Sequence, residues 1–294
     1  MRFRWFTVII MTVLLLGGCD AFDYHPYSDE ISGMTDINPK NIAIIEQLCK
    51  GKNEIKFAFL TDTQRHYDET LDAVRHINQR DDIDFVVNGG DVSDFGMVKE
   101  FLWIRDIMNR LDVPYITLIG NHDCLGSGEH TFHKVFGSSN FGFMAGNKFI
   151  MGLNTVALEY DYSEPVPDFG FIRNQLLTIN EWNSTHPEQQ IEQTVVLMHA
   201  RPYNDVFNNN VATIFNKFVD QFPGLTPAAP TFDSGALKGS KRNGLCINGH
   251  GHNYHVEDTF NNGILYHQIP NIAERVYMVF TLNENGYEYE MVSF

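Results

Sequence analysis

Five short clusters hold the side chains best suited to bind an ion or move a proton. FLTDTQRH carries Asp62, Gln64 and His66, and GGDVSD carries Asp91 and Asp94. GNHDC carries Asn121, His122 and Asp123, MHARP carries His199 and Arg201, and GHGH carries His250 and His252. Carboxylates, an amide oxygen and imidazoles in this supply are enough for two five- or six-coordinate ions that share a carboxylate. One carboxylate has two oxygens and can bridge ions about 3.5–4 Å apart. Taken singly, each cluster has a plainer explanation. A Gly-Asp after a strand is commonly a turn, Asn-His-Asp commonly caps a helix, and a histidine after an apolar run is commonly a hydrogen-bonded core residue. Their shared placement is what joins them.

Each cluster follows an apolar run that reads as a buried strand: IKFAFLT, IDFVVNGG, VPYITLIG, QTVVLMH and GLCINGH. The first two gaps, 62 to 91 and 91 to 121, are 29 and 30 residues, about one strand-helix-strand unit each. YDETLDAVRHINQR places Leu71, Val74 and Ile77 at helical spacing, and DFGMVKEFLWIRDIMNRL is a second helix with Ser93 or Asp94 as its expected cap. The clusters therefore fall on the carboxyl edge of a largely parallel sheet, where open α/β sheets bind ligands. NPKNIAIIEQLCKGK reads as a short helix ending near Gly51. In the second half, FGFMAGNKFIMGLNT predicts a hairpin turning at Gly146-Asn147, and residues 169–183 predict a helix. HVEDTF, GILYHQIP, RVYMVFTL and YEYEMVS predict short strands. The expected fold is α/β, a four-layer α/β/β/α sandwich of two mixed sheets with helices on the outer faces. Residues 157–168 and 201–242 read as long irregular loops, which are usually functional or mobile.

The order Asp-x-(His), Gly-Asp-x-x-Asp, Gly-Asn-His-Asp, His, Gly-His-x-His resembles the calcineurin-like metallophosphoesterase superfamily, which includes purple acid phosphatases and many bacterial phosphodiesterases. The resemblance spans roughly residues 54 to 270, and the pair Gly-Asn-His-Asp and Gly-His-x-His is its most specific part. It implies one metal held by Asp62, Gln64, Asp91 and His252, and a second held by Asp91, Asn121, His199 and His250. The ions would be divalent or mixed-valence Mn, Fe, Zn or Mg. His122 cannot easily ligate beside Asn121, because adjacent side chains point apart. It is better placed to contact the substrate phosphate or protonate the leaving oxygen, with Asp123 fixing its tautomer. Asp94 would support the site from behind or cap a helix, and Arg201 would contact a phosphate or lie on the surface. The implied reaction is in-line attack of a metal-bound hydroxide on a phosphate ester. The expected substrate is a small phosphorylated molecule.

The departure from the family is Gln64, which stands where a histidine is usual. An amide oxygen is neutral, harder and a weaker donor than imidazole, so a harder ion such as Mn²⁺, Mg²⁺ or Fe suits that position. His66 is a poor substitute, because the chain turns towards its helix there and Arg65-His66 reads as helix-start surface. Tyr160, Tyr162, Tyr203 and Phe207 lie in loops that would wall a pocket, where Glu159 and Asp161 would repel highly charged substrates. A different class of function, a non-catalytic ligand- or glycan-binding lipoprotein on the same fold, leaves His122 and Asp123 without a purpose. A peptidase reading lacks a His-Glu-x-x-His helix.

The ends and the composition set the compartment. Arg2 and Arg4 precede WFTVIIMTVLLL, an apolar run of 12 residues that is shorter than the roughly 20 a membrane span needs. The run ends in LGGC, so residues 1–18 are expected to be a bacterial lipoprotein signal and Cys19 the lipidated first residue of an exported protein. Residues 19–40 read as an extended tether and 41–294 as a single domain. Loss of Arg2 and Arg4 moves the net charge from -16 to -18. So acidic a chain is a poor partner for nucleic acid, which is bound through Lys and Arg. Cys49, Cys124 and Cys246 remain, an odd number whose spacing suggests no thiolate site.

Overall fold

The computed structural model describes residues 30–157, 165–225 and 243–294. In the first sheet β1 (Ile55–Leu60) lies beside β2 (Phe85–Asn88), and β2 beside β3 (Tyr115–Thr117), all parallel. On the other side of β1 run β10 (Val276–Asn283) and β11 (Gly286–Ser293), antiparallel to their neighbours. The second sheet has the order β4-β5-β6-β7-β9-β8. Its parallel centre is β5 (Lys148–Leu153), β6 (Gln193–Met198), β7 (Leu245–Asn248) and β9 (Tyr266–Gln268). The antiparallel edges are β4 (Phe141–Ala145) and β8 (His255–Glu257).

The side-chain period of two along a strand sorts the core into layers. Phe57 and Phe59 face inward with Phe85, Val87 and Ile116, against Phe143, Ile150, Val195, Leu197 and Ile247 of the other sheet. Phe57 stacks on Phe85 at 5.1 Å and on Phe280 at 5.5 Å between ring centres, so emptying it would cost about 3–5 kcal/mol. The alternate residues Ala58, Leu60 and Val86 face outward onto α2 (Tyr67–Ile77), α3 (Val98–Met108) and α4 (Gly128–Val135). Across the molecule Met151, Val196 and Cys246 meet α5 (Phe169–Thr185) and α6 (Ala212–Val219) through Ile172, Ile179 and Phe215. These are the four layers the sequence predicts. The hairpin turns at Gly146-Asn147, with Ala145 paired to Lys148.

Three expectations need correction. The stretch expected as a tether to residue 40 is already built into the compact unit from Ile31, and α1 runs Ile37–Cys49. Asn38 serves the free edge of β3 as a short strand would: its amide donates to the Thr117 carbonyl at 2.8 Å and accepts from the Thr117 N–H at 2.9 Å. The stretch 201–242 contains α6, whose Ala212, Phe215, Asn216 and Val219 form a buried stripe at helical spacing. Neither Ser93 nor Asp94 caps α3. The Glu100 carboxylate does so, accepting from the N–H groups of Asp94, Phe95 and Met97. Among the described residues no helix is long and apolar enough to cross a membrane.

Candidate metal centre

The site forms where β1, β2, β3, β6 and β7 end. Asp62, Asp91, His250 and His252 all adopt left-handed backbone, with φ of 55°, 54°, 67° and 58°. Outside glycine such conformations cost about 1–3 kcal/mol each and persist where the surroundings enforce them. Each of the four residues lies in the loop just beyond the carboxyl end of β1, β2 or β7. Gly120 lets the β2 and β3 ends approach, because a Cβ there would collide with the backbone nitrogen and carboxylate of Asp91.

On the side nearer the second sheet, Asp91, His199 and His250 bring ligand atoms within 4.8 Å of one another. His199 is fully buried, and its Nδ1 donates to the Gly89 carbonyl at 2.9 Å. A carbonyl only accepts, so the neutral ring is left with a lone pair on Nε2. That atom lies 3.3 Å from Asp91 Oδ2 and 3.2 Å from Asn121 Oδ1. His250 Nε2 donates to Asp205 Oδ1 at 2.8 Å, which leaves its Nδ1 lone pair 3.0 Å from the same Asn121 oxygen. Two ring lone pairs, an amide oxygen and a carboxylate thus converge, and a cation satisfies all of them. Burial opposes a charge on His199, but Asp91 and then Asp62 outweigh it and push the ring up to about 10. The position is strongly favourable to positive charge, whether a proton or a metal carries it.

On the other side the arrangement is looser. Asp62 is buried; its Oδ2 accepts from the His250 N–H at 3.3 Å, and its Oδ1 has no hydrogen-bond partner. His252 Nε2 lies 3.3 Å from that Oδ1, but its side chain is 57% exposed. The Gln64 N–H donates to the Asp91 carbonyl at 2.9 Å, and its Nε2 lies 3.4 Å from Asp91 Oδ2. Gln64 Oε1 is buried with no partner. A buried amide oxygen with no partner, together with a buried carboxylate oxygen met only by the half-exposed His252, fits an ion that would complete both. His66 stands apart at the start of α2, its Nδ1 3.9 Å from Glu69.

The surroundings of His122 differ from expectation. Asp123 does not reach that ring. Its buried carboxylate accepts from the N–H groups of Val92, Ser93 and Gly120 and from Ser93 Oγ, which ties the β2 loop to the β3 loop. Burial, and after it the charge of Asp91, raises Asp123 above the usual carboxylate range. The reason is the one that separates Asn121 from His122, since neighbours in a turn point apart. His122 Nδ1 donates instead to the Asp94 carbonyl at 2.9 Å, and its N–H donates to Asp91 Oδ1 at 2.9 Å. Arg65, expected as plain helix-start surface, is paired with Asp94. Arg201 is paired with Glu257 of β8. Tyr160 and Tyr162, with Glu159, Asp161 and Cys19, lie outside the described residues. Asp205, which holds His250, was not anticipated; its only sequence signal is an acid in the loop after His199.

A family model described as calcineurin-like phosphoesterase matches residues 55–272. A probable cyclic nucleotide phosphodiesterase of Xenorhabdus bovienii is 24% identical over 136 residues, 45% of this chain and 55% of that protein. The chain therefore matches little more than half the length of that relative. Among solved structures, a purple acid phosphatase from yellow lupin (Lupinus luteus) seeds superposes with a TM-score of 0.55 at 12% identity, over 82% of this chain and 52% of the lupin one. PhoD superposes with a TM-score of 0.52 at 7% identity, over 82% and 69%. At such identities the two structures speak for the fold alone.

Proposed function

The chain belongs to the calcineurin-like phosphoesterase family, and from that premise we propose that it is a metal-dependent phosphoesterase that hydrolyses a small phosphodiester at a pair of ions between its two sheets. The observation that carries this reading is the convergence of Asp91, His199 and His250 on one point. Asp62, Gln64, Asp91 and His252 would hold one ion, and Asp91, Asn121, His199 and His250 the other, with Asp91 shared. Oxygen and imidazole donors of this kind suit Mn, Fe, Zn or Mg. Bound there, the ions would neutralise charge on the phosphoryl oxygens and lower the pKa of a coordinated water.

The protein's own groups do the rest. Asp91 Oδ1 fixes the backbone of His122, and the Asp94 carbonyl occupies Nδ1, so Nε2 is the ring atom left to give a proton to the leaving oxygen. The ring is about a third exposed and so reaches substrate at the mouth. The likeness to a probable cyclic nucleotide phosphodiesterase favours a diester over a monoester. The net charge of -16 favours a small molecule over a polynucleotide. The reading also includes export and a lipid anchor at Cys19, supported by the Arg2/Arg4 flank, the short apolar run and LGGC. Fatty-acid labelling of the full chain, lost in Cys19→Ala, tests that part.

The central test is metal analysis together with a panel of mono- and diesters. About two ions per chain and turnover of a diester are expected, with Asp91→Ala losing both metal and activity. A metal-replete protein inert towards both ester classes overturns the reading.

A further inference from the structure

Arg65 is an unusual residue for a helix-start surface. It follows Gln64, its φ is 65°, and it is a bulky side chain in a conformation that favours glycine. The result of that conformation is visible. Its Nε donates to Asp94 Oδ2 at 2.6 Å, and a terminal nitrogen forms an ion pair with Oδ1 at 2.5 Å, so both carboxylate oxygens meet a guanidinium that is itself 64% exposed. The plane also lies 5.9 Å from the ring centre of Phe95, the next residue along. Asp94 is only 6% exposed and is held from a second side, where its N–H donates to Glu100 Oε2. Its carbonyl is the atom that receives His122 Nδ1, and its Oδ1 lies 3.7 Å from the same nitrogen.

We propose that Arg65 is a positioning residue for His122, acting through Asp94. This rests on the reading of His122 as the proton donor to the leaving group. The loop that carries Gln64 and the loop that carries Asp94 leave different strands, and the Arg65–Asp94 pair ties them together beside the longer Gln64–Asp91 contact. A two-point fork fixes a carboxylate in angle as well as distance, which a lysine's single point of charge does not. With the carboxylate fixed and the backbone N–H anchored on Glu100, the Asp94 carbonyl is immobile, and with it the direction of the imidazole. Without Arg65 the side chain of Asp94 would be a nearly buried carboxylate with no cation, and it would turn towards water and carry the carbonyl with it.

A general acid matters in proportion to how poor the leaving group is. That gives a readout which loss of folding or of metal does not mimic. The experiment compares 4-nitrophenyl and ethyl esters of whichever class, mono- or diester, the wild type turns over, with metal content measured on every variant. His122→Ala should lose about 100-fold or more in kcat on the ethyl ester and much less on the nitrophenyl ester. Arg65→Ala should repeat that pattern at a smaller size, about tenfold on the ethyl ester, with KM and metal content held. Arg65→Lys should recover little, because it restores charge without the fork. An equal loss on both esters, or a loss tracking metal content, overturns the inference and leaves Arg65 merely structural. So does an unchanged Arg65→Ala beside a strongly leaving-group-dependent His122→Ala. A His122→Ala enzyme that treats both esters alike sinks the acid role of His122 and this inference together. Turnover lost with the metal in Asp91→Ala would still leave the phosphoesterase reading standing.

Discussion

His199 and His252 flank the same carboxylate region from opposite sides and are held in opposite ways. His199 is sealed from water, its Nδ1 occupied by the Gly89 carbonyl, and the largely buried His250 beside it donates to the exposed carboxylate of Asp205. His252 leaves more than half its side chain in solvent, and Gln64, with which it would share an ion, offers only a neutral amide. On the two-ion reading proposed above, one half of the centre would be preorganised, and the other would gather its ligands when an ion arrives. Preorganised donors lose little entropy on binding, and loose ones lose more. The pair of sites should differ in affinity: a tightly held ion beside His199, and a more exchangeable and harder one beside Gln64.

The comparison breaks most cleanly at His199. His199→Ala should empty the closed half and lower kcat/KM by about 10³-fold, whereas His252→Ala should leave that half loaded and cost less. Equal metal loss in the two variants, read by elemental analysis at limiting metal, would remove the asymmetry.

His267 shows what burial does to a histidine that has no carboxylate beside it. Like His199 it is fully buried, but its Nε2 meets the Tyr287 hydroxyl at 3.0 Å, and burial pushes it down to about 4. Its ordinary value is near 6.5, so the ring contributes stability above about pH 6.5 that is lost as pH falls towards 4. The shift corresponds to about 3 kcal/mol. Urea unfolding followed across that interval should show the loss in the wild type and a flatter limb in His267→Gln. Parallel limbs would mean that burial does not discharge the ring.

Asp205→Asn should loosen His250 and weaken metal binding by about 10- to 100-fold, the effect expected of an outer partner of a ligating histidine. If affinity is untouched, the closed half does not owe its rigidity to that contact. The smallest effect is expected at Gln64. Gln64→His should tighten the open half by about tenfold and move its preference away from Mn²⁺ or Mg²⁺, which competition between metals would register. If both Gln64→His and Gln64→Ala leave metal content unchanged, Gln64 is no ligand.

The sequence made the strand ends legible because each apolar run stops at a polar cluster, and a buried strand cannot carry a charge without a partner. The layers were legible because strand and helix patterns alternate through the first half of the chain and further strands fill the second. What could not be read depends on loops bending back. Asp123 sits beside His122 in the chain yet points at Val92 and Ser93. Asp205 and Arg65 have no local signature, because their partners His250 and Asp94 are 45 and 29 residues away. The short helices α4 and α6 were hidden by length, at eight residues each, although the buried stripe of α6 was present in the sequence.

The left-handed backbone at Asp62, Asp91, His250 and His252 has a consequence for the history of such a chain. At these four positions the residue that folds most comfortably is glycine, and on the proposed reading the residues present are kept there by the ions they would hold. Stability and activity pull in opposite directions at those strand ends. A lineage released from the reaction would be expected to drift to glycine there first, and to become a more stable protein as its catalytic record was erased.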